Sequence, residues 1–279
     1  MYWLRRTAQF IRHLPGLERA EWLWDYLRRP YRQVLAFGGR GALVFVGGTA
    51  EVRIPAEFTG YIWEKFEPEA VAACANWARQ HPGGLVLDVG CSIGIYSAIA
   101  LFSSGEVEVV AFDSDLSSLA AARRLCQYAT GTRLRLVHGF IAQVATEVIC
   151  LDMAVASTEA ALTRRGDRGD NTRFICLTDL EARGLPCRRL DDLLEASTLA
   201  GRSILIKCDV EGAELLVLSG AEKLLRRFHP DILLSVHPPA LPSYGHSKGE
   251  VEVYLHELNY EFHCLAVDHE EHWWCQWKA

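Results

Sequence analysis

The chain has 279 residues, half of them apolar and 23% charged, with a formal net charge of −6. At roughly 100–200 residues per domain this allows one large domain or a domain with an added subdomain, with enough apolar material for a sizeable core. A disordered tail, a collagen-like repeat and a small disulfide-stapled scaffold are excluded, and the acidic balance argues against a dedicated nucleic-acid binder. Nine cysteines, at 74, 91, 126, 150, 176, 187, 208, 264 and 275, form no Cys-x-x-Cys pair, and several fall inside apolar runs. They read as reduced, mostly buried thiols, which points to a cytoplasmic protein. The amino terminus lacks the apolar core expected of a signal peptide. No uncharged apolar stretch reaches the roughly 18–20 residues that a membrane span needs.

Residues 1–40 carry eight Arg against Glu18, Glu21 and Asp25, a surplus of five positive charges that leaves −11 to the other 239 residues. The same leader holds Trp3, Phe10, Trp22, Trp24, Tyr26 and Tyr31. One reading is a pair of helices around Pro15-Gly16 that caps the main domain; the other is a peripheral docking element for an anionic membrane or a protein. Alternation over 42–55 around Gly47-Gly48 predicts a β-hairpin. The chain is therefore divided into a helical cap and hairpin over 1–57 and a main domain over 58–279.

From residue 85 the pattern changes to short apolar runs between helical stretches. Strands are predicted over 85–89, 107–112, 133–138, 204–208 and 232–236, followed by two more over 260–266 and 272–277. Helices are predicted over 95–102, 116–129, 213–228 and 251–258. Residues 140–200 are hard to read; 148–155 resembles an additional strand and 164–171 a charged, glycine-punctuated loop. Strands alternating with helices indicate an α/β fold with a doubly wound, mostly parallel sheet and right-handed crossovers.

In such a sheet, ligands bind beyond the carboxyl ends of the strands, near the point where strand order reverses. The first strand runs into Asp88-Val89-Gly90-Cys91-Ser92-Ile93-Gly94. Gly90 and Gly94 permit a sharp turn and close approach of backbone to ligand, and the helix that follows offers free amides. The second strand ends at Asp113, an acid placed to accept hydrogen bonds from ribose hydroxyls. The turn has Ser at 92 where a dinucleotide fingerprint needs its middle glycine, which argues against a nucleotide-dependent oxidoreductase.

At this point the sequence looks like a class I S-adenosylmethionine-dependent methyltransferase, with residues 88–94 as its first motif. A second stretch, Ile206-Lys207-Cys208-Asp209-Val210-Glu211-Gly212-Ala213-Glu214, continuing to Val217-Leu218-Ser219-Gly220-Ala221, resembles the signature of the FkbM family of O-methyltransferases. Arg189-Leu190-Asp191-Asp192-Leu193-Leu194 and Leu233-Leu234-Ser235-Val236-His237 sit where that family has its corresponding segments. The resemblance covers about residues 60–265.

It implies a seven-stranded, Rossmann-like sheet and methyl transfer to the hydroxyl of a small hydroxylated acceptor such as a sugar, glycan or polyketide-like metabolite. It also implies cofactor contacts from Asp88, Gly90, Cys91, Ser92, Gly94 and Asp113. Tyr61 and Glu67 belong to a segment that would fold over the cofactor's methionine end, although aromatic packing on the sheet edge accounts for that segment equally well. For adenine, the family pattern has an Asp or Asn after the third strand. Here His138-Gly139-Phe140 follows one candidate strand and Asp152-Met153-Ala154 the other, making Gly139 and Phe140 the candidates nearest adenine.

An alcohol is a poor nucleophile until its proton is removed or its pKa lowered. His237 or Asp209 is the expected proton acceptor, with Glu211 orienting substrate or base. Asp209 and His237 are also a ligand set for a divalent ion. Their bland alternatives are an N-cap for Asp209 with Glu211 and a structural loop histidine for His237. The chain departs from the family pattern in having Asp at 113 where Glu is usual, Cys91-Ser92 in the turn, and Ser235 where a Glu often precedes the histidine. His256, His263, His269 and His272 match no defensible ligand spacing and read as scattered surface residues. The alternative to an enzyme is a non-catalytic methyltransferase-like module that docks through residues 1–40.

Overall fold

The computed structural model of the chain describes residues 39, 41–129, 133–143, 187–194 and 196–278. The expected leader helices, the 164–171 loop and the strand over 148–155 lie outside them. The hairpin forms as β1 (Ala42–Val46) and β2 (Ala50–Ile54), paired antiparallel. Its inner residues Val44, Val46, Val52 and Ile54 are buried in the same core as Val86 and Ile99 of the main domain. Gly47, at φ +57°, turns the hairpin so tightly against the next helix that a Cβ there would lie 2.9 Å from Val71.

That helix, α1 (Pro68–Gln80), has no counterpart among the elements expected from sequence. Proline at its first position suits helix initiation, and Ala70, Val71, Cys74, Ala75, Trp77 and Ala78 form its buried stripe. Then follow β3 (Leu85–Val89), α2 (Ile95–Ser103), β4 (Glu108–Asp113), α3 (Leu116–Leu125) and β5 (Leu134–His138). Helix α3 is capped by the Asp115 carboxylate, which accepts from the Ser117 and Ser118 amides and satisfies two of the helix's open donors. A short parallel pair, β6 (Phe140–Ile141) with β7 (Cys187–Arg188), flanks the main sheet. The short helices α4 (Leu190–Leu193) and α5 (Ala196–Leu199) lead to β8 (Ile204–Cys208).

The helix expected over 213–228 is two helices, α6 (Glu214–Gly220) and α7 (Glu222–Phe228), separated at Ala221. Two contacts explain the break. Gly220 packs so closely on residue 142 that a Cβ would come within 2.7 Å of the Ala142 carbonyl oxygen. Asp191 accepts hydrogen bonds from the Lys223 and Leu224 amides and so caps the second helix from a distant part of the chain. The chain ends with β9 (Asp231–Val236), α8 (Lys248–Glu257), β10 (Tyr260–Val267) and β11 (Glu271–Trp277). A reciprocal capping box between Ser247 and Glu250 starts α8.

The seven main strands lie in the order β10-β11-β9-β8-β3-β4-β5, with β11 antiparallel to both neighbours and the other pairs parallel. Strand order reverses between β3 and β8, so the crevice lies where Gly90 and Asp209 leave the sheet. Side chains alternate between the two faces. Leu85, Leu87, Ile204, Ile206, Ile232 and Leu234 fill the layer under α6–α8, while Val86, Leu205 and Leu233 face α1–α3. Continuing that second set towards the carboxyl ends reaches Asp88, Lys207, Ser235 and then Asp209 and His237.

The seven described cysteines are unpaired, and Cys74, Cys91, Cys126, Cys208 and Cys275 are buried as expected. Among the described residues no helix is long and apolar enough to cross a membrane. Truncating the fully buried Leu234 to Ala is expected to cost about 2–5 kcal/mol, measured by urea unfolding; a loss below 1 kcal/mol would contradict the packing of this layer.

Candidate active site

The glycine turn is built by close approach. Gly90 has φ +77°, and a Cβ there would stand 1.8 Å from the Asp209 carbonyl oxygen; no side chain fits where β3 meets β8. The amides of Gly90 and Cys91 both donate to the Phe112 carbonyl, which ties the turn to β4. Gly94, at φ +79°, starts α2 against α3, with a would-be Cβ 2.6 Å from that of Ala122. Cys91 is buried, and burial pushes its thiol up, so it is an inert wall. Ser92 is exposed at the tip, and its amide donates to Asp113 Oδ2 at 2.8 Å. Asp113 Oδ1 accepts from the Asp115 amide at 2.8 Å, so the carboxylate is pinned between the turn and α3. The Gly139 amide donates to the Asp113 carbonyl at 3.0 Å, which brings the end of β5 beside the acid. Phe140 is buried next to it. Asp152, Met153 and Ala154 lie outside the described residues.

Asp88 is buried and turned inward. Its Oδ2 accepts from the Ser97 amide at 3.0 Å and the Ser97 hydroxyl at 2.5 Å. Burial raises its pKa to about 6 against the pull of Ser97 and Lys207. Within the protein it therefore holds the first turn of α2 in place. Tyr61 is exposed and lies 5.0 Å, ring to ring, from buried Trp63. Glu67 instead reaches the interior. It adopts a left-handed conformation at the start of α1 and accepts a 2.5 Å hydrogen bond from the Tyr96 hydroxyl. Burial brings its pKa to about 7, although Lys207 pulls the other way.

At the centre is Lys207, with no exposure to solvent. Its ammonium donates to Ser235 Oγ at 2.6 Å and Asp209 Oδ2 at 3.2 Å, and sits 4.7 Å above the Tyr96 ring. Burial acts to lower its pKa, but Asp209, Glu270, Glu67 and Asp88 outweigh that and raise it. Asp209 responds in kind: burial works to raise its carboxyl, and Lys207 and His237 hold it below the usual range.

His237 ends β9 and is enclosed by acids. Nδ1 lies 2.7 Å from Glu214 Oε1. Nε2 lies against Glu270 Oε2, with Asp209 at 3.6 Å and Glu211 at 3.7 Å. Burial alone would lower the imidazole, but Glu214, Glu270 and Asp209 raise its pKa to about 11. The acids around it favour the protonated imidazole. An acid to orient the imidazole, missing at Ser235, is supplied by Glu214 at the start of α6. Glu211, at φ +51° beyond β8, is half exposed at the mouth, and burial raises its pKa despite His237.

Sequence reasoning missed three participants. Lys207 and Glu214 lie inside the quoted motif but were unassigned, because their roles depend on burial. Glu270 belongs to the β10–β11 turn, in which the Asp268 amide donates to the Glu270 carbonyl. Since Glu271 pairs with Val236 across the sheet, the preceding residue comes opposite His237. His256, His263 and His269 are exposed, but His272 is fully buried, pairs in register with Ser235 and places Nδ1 3.2 Å from its hydroxyl. The reading of His272 as a surface residue is thereby overturned; a lone histidine before two tryptophans carries no signal of that pairing.

The strand order, the glycine turn at the reversal point and the acid at the end of β4 define a class I S-adenosylmethionine-dependent methyltransferase. A family model for the methyltransferase FkbM domain matches residues 88–262, and the chain belongs to that family. The FkbM methyltransferase of Methylobacillus flagellatus KT aligns over 95% of this chain and 72% of its own, at 14% identity and a TM-score of 0.43. Precorrin-6y C5,15-methyltransferase of Geobacter metallireducens GS-15 aligns over 77% and 89%, at 14% identity and a TM-score of 0.43. Magnesium protoporphyrin IX methyltransferase of Synechocystis PCC 6803, with bound SAM, aligns over 75% and 79%, at 14% identity and a TM-score of 0.40. The comparison with curated proteins finds no match.

Lys207→Met leaves several buried carboxylates without their cation and is expected to cost about 3–5 kcal/mol, read by denaturant unfolding. For His237, the folded pKa near 11 exceeds the ordinary 6.5, so the folded state binds the extra proton between those values. Its contribution is full below pH 6.5 and is lost as pH rises towards 11, by up to about 1.4 kcal/mol per pH unit. In EDTA, the melting temperature should therefore fall between pH 7 and 9.5, and the slope should flatten in His237→Gln. An equal slope in both proteins would contradict the assignment.

Proposed function

We propose that this methyltransferase is an O-methyltransferase acting on a small or medium hydroxylated acceptor of the sugar, glycan or polyketide-like kind. The observation that carries the reading is the convergence of Asp209, Glu211 and His237 at the carboxyl ends of β8 and β9, against the backbone of Gly90. A hydroxyl needs an acidic, hydrogen-bonding mouth to be oriented and deprotonated, and a sulfonium methyl donor is favoured beside carboxylates.

In this reading the turn from Gly90 to Gly94 carries the cofactor, with Asp113 towards its ribose and Gly139 and Phe140 towards adenine. Glu67 closes the methionine end, and Tyr61 stands at the rim. Transfer requires acceptor oxygen, methyl carbon and sulfur in line at near-attack distance. The oxygen–carbon bond forms as the carbon–sulfur bond breaks, and that bond's electron pair stays on sulfur as a neutral thioether. The hydroxyl proton goes to Glu211. Of the three candidates, burial raises its carboxyl above the ordinary range, whereas Lys207 and His237 hold Asp209 below it and the acids around His237 favour its protonated form; a raised pKa makes a carboxylate the better proton acceptor. Asp209 orients the hydroxyl.

The test begins with calorimetric titration of the full chain with S-adenosylhomocysteine and, separately, NAD. Saturable binding of the first alone is expected. Binding of neither would favour a docking module. With an acceptor found by screening hydroxylated compounds, Glu211→Gln should lower kcat by about 10²–10⁴ while leaving S-adenosylhomocysteine affinity within twofold. An unchanged kcat would remove Glu211 from the chemistry.

A further inference from the structure

We propose that Asp209, His237 and Glu270 form a binding site for one divalent transition-metal ion, of the Mn²⁺ class, that takes the acceptor hydroxyl at an open position. This rests on the methyltransferase reading for its purpose, but not for its geometry. One ligand atom from each of the three residues lies within 4.8 Å of the others. His237 Nε2 and Glu270 Oε2 are buried, lie against one another, and neither makes a hydrogen bond to any other group. A buried imidazole nitrogen and carboxylate oxygen need a positive charge between them, which either a proton or a metal ion supplies.

The surrounding contacts select these three atoms. Glu214 Oε1 fixes the hydrogen of His237 on Nδ1 and leaves Nε2 to coordinate, the carboxylate–histidine–metal pattern of bound imidazoles. A cation would replace the proton on Nε2, since the carboxylates that favour one positive charge there favour the other. Lys207 holds Asp209 Oδ2, so that Oδ1 faces His237. Asp209 is 28% exposed on its side chain, so one edge of the site is open to solvent. His272 lies against the other oxygen of Glu270, at 3.5 Å. Lys207 donates to Ser235 Oγ, which directs the hydroxyl hydrogen to His272 Nδ1 and the ring hydrogen to Nε2. His272 therefore positions Glu270 rather than ligating. One imidazole and two carboxylates suit Mn²⁺ or its neighbours better than Ca²⁺, which takes oxygen ligands alone. The bound ion would lower the hydroxyl's pKa before its proton passes to Glu211.

The experiment strips the full chain with EDTA and titrates it with Mn²⁺, following the electron paramagnetic resonance signal of the free aquo ion. One equivalent should be taken up, and the melting temperature should rise with Mn²⁺. Glu270→Gln and His237→Gln should each weaken uptake at least tenfold and abolish the thermal shift, with circular dichroism matching wild type. Glu261→Gln, which removes a surface pairing with Lys278, should change neither. No uptake by the stripped wild-type chain overturns the proposal, whatever the variants do. So does uptake indifferent to both substitutions. S-adenosylhomocysteine calorimetry on the same samples separates the two readings: binding without Mn²⁺ uptake removes the metal and leaves the methyltransferase, and Mn²⁺ uptake without cofactor binding does the reverse.

Discussion

A single ammonium group, that of Lys207, sits without water at the centre of the sheet and sets the terms for everything around it. Desolvating an ion costs several kcal/mol, while one carboxylate about 4 Å away returns about 4 kcal/mol at an effective dielectric near 20. One partner barely balances the cost; several are needed. Asp209 comes from the same strand, Asp88 from the adjacent β3, Glu67 from the start of α1 and Glu270 from the last hairpin. Each lies on a different element. The lysine thus ties together the carboxyl ends of the strands that form the crevice.

That cluster also gives neighbouring carboxyls different characters. Near the ammonium, Asp209 is held below the usual carboxyl range; farther out, burial raises Glu211. Glu67 and Asp88, more deeply buried, are pushed up instead. The imidazole of His237 takes whatever positive charge the acids around it demand. One fold layer thereby carries carboxylates of quite different character within a few ångströms, and environment rather than residue type assigns each its work.

The parts of the site that follow from local chain chemistry were legible beforehand. The turn from Gly90 to Gly94, Asp113 at a strand end and the Asp209–Glu211 pair could be read because each depends on neighbours within a few residues. The motif around 206–214 pointed to the FkbM family that the family model confirms. What was misread depended on distance along the chain. The break at Ala221 comes from residues 142 and 191 packing against a segment that looks continuous. Helix α1 was hidden behind the segment holding Tyr61 and Glu67, whose aromatics fit a fold over the cofactor or packing on the sheet edge as readily as a helix entry.

By itself the sequence determined the parallel sheet, the glycine turn and the family, since periodicity of two and 3.6 residues, glycine placement and a contiguous motif are local properties of the chain. Only the tertiary structure decided how the chemistry is arranged. The antiparallel insertion of β11 beside β9 puts Glu271 against Val236 and His272 against Ser235, so a turn some thirty residues after His237 delivers Glu270 to its imidazole. Register across a sheet is set by which faces can be buried together, and no spacing along the chain announces it. The same burial turned Lys207 from one charged residue among many into the group around which the acids collect.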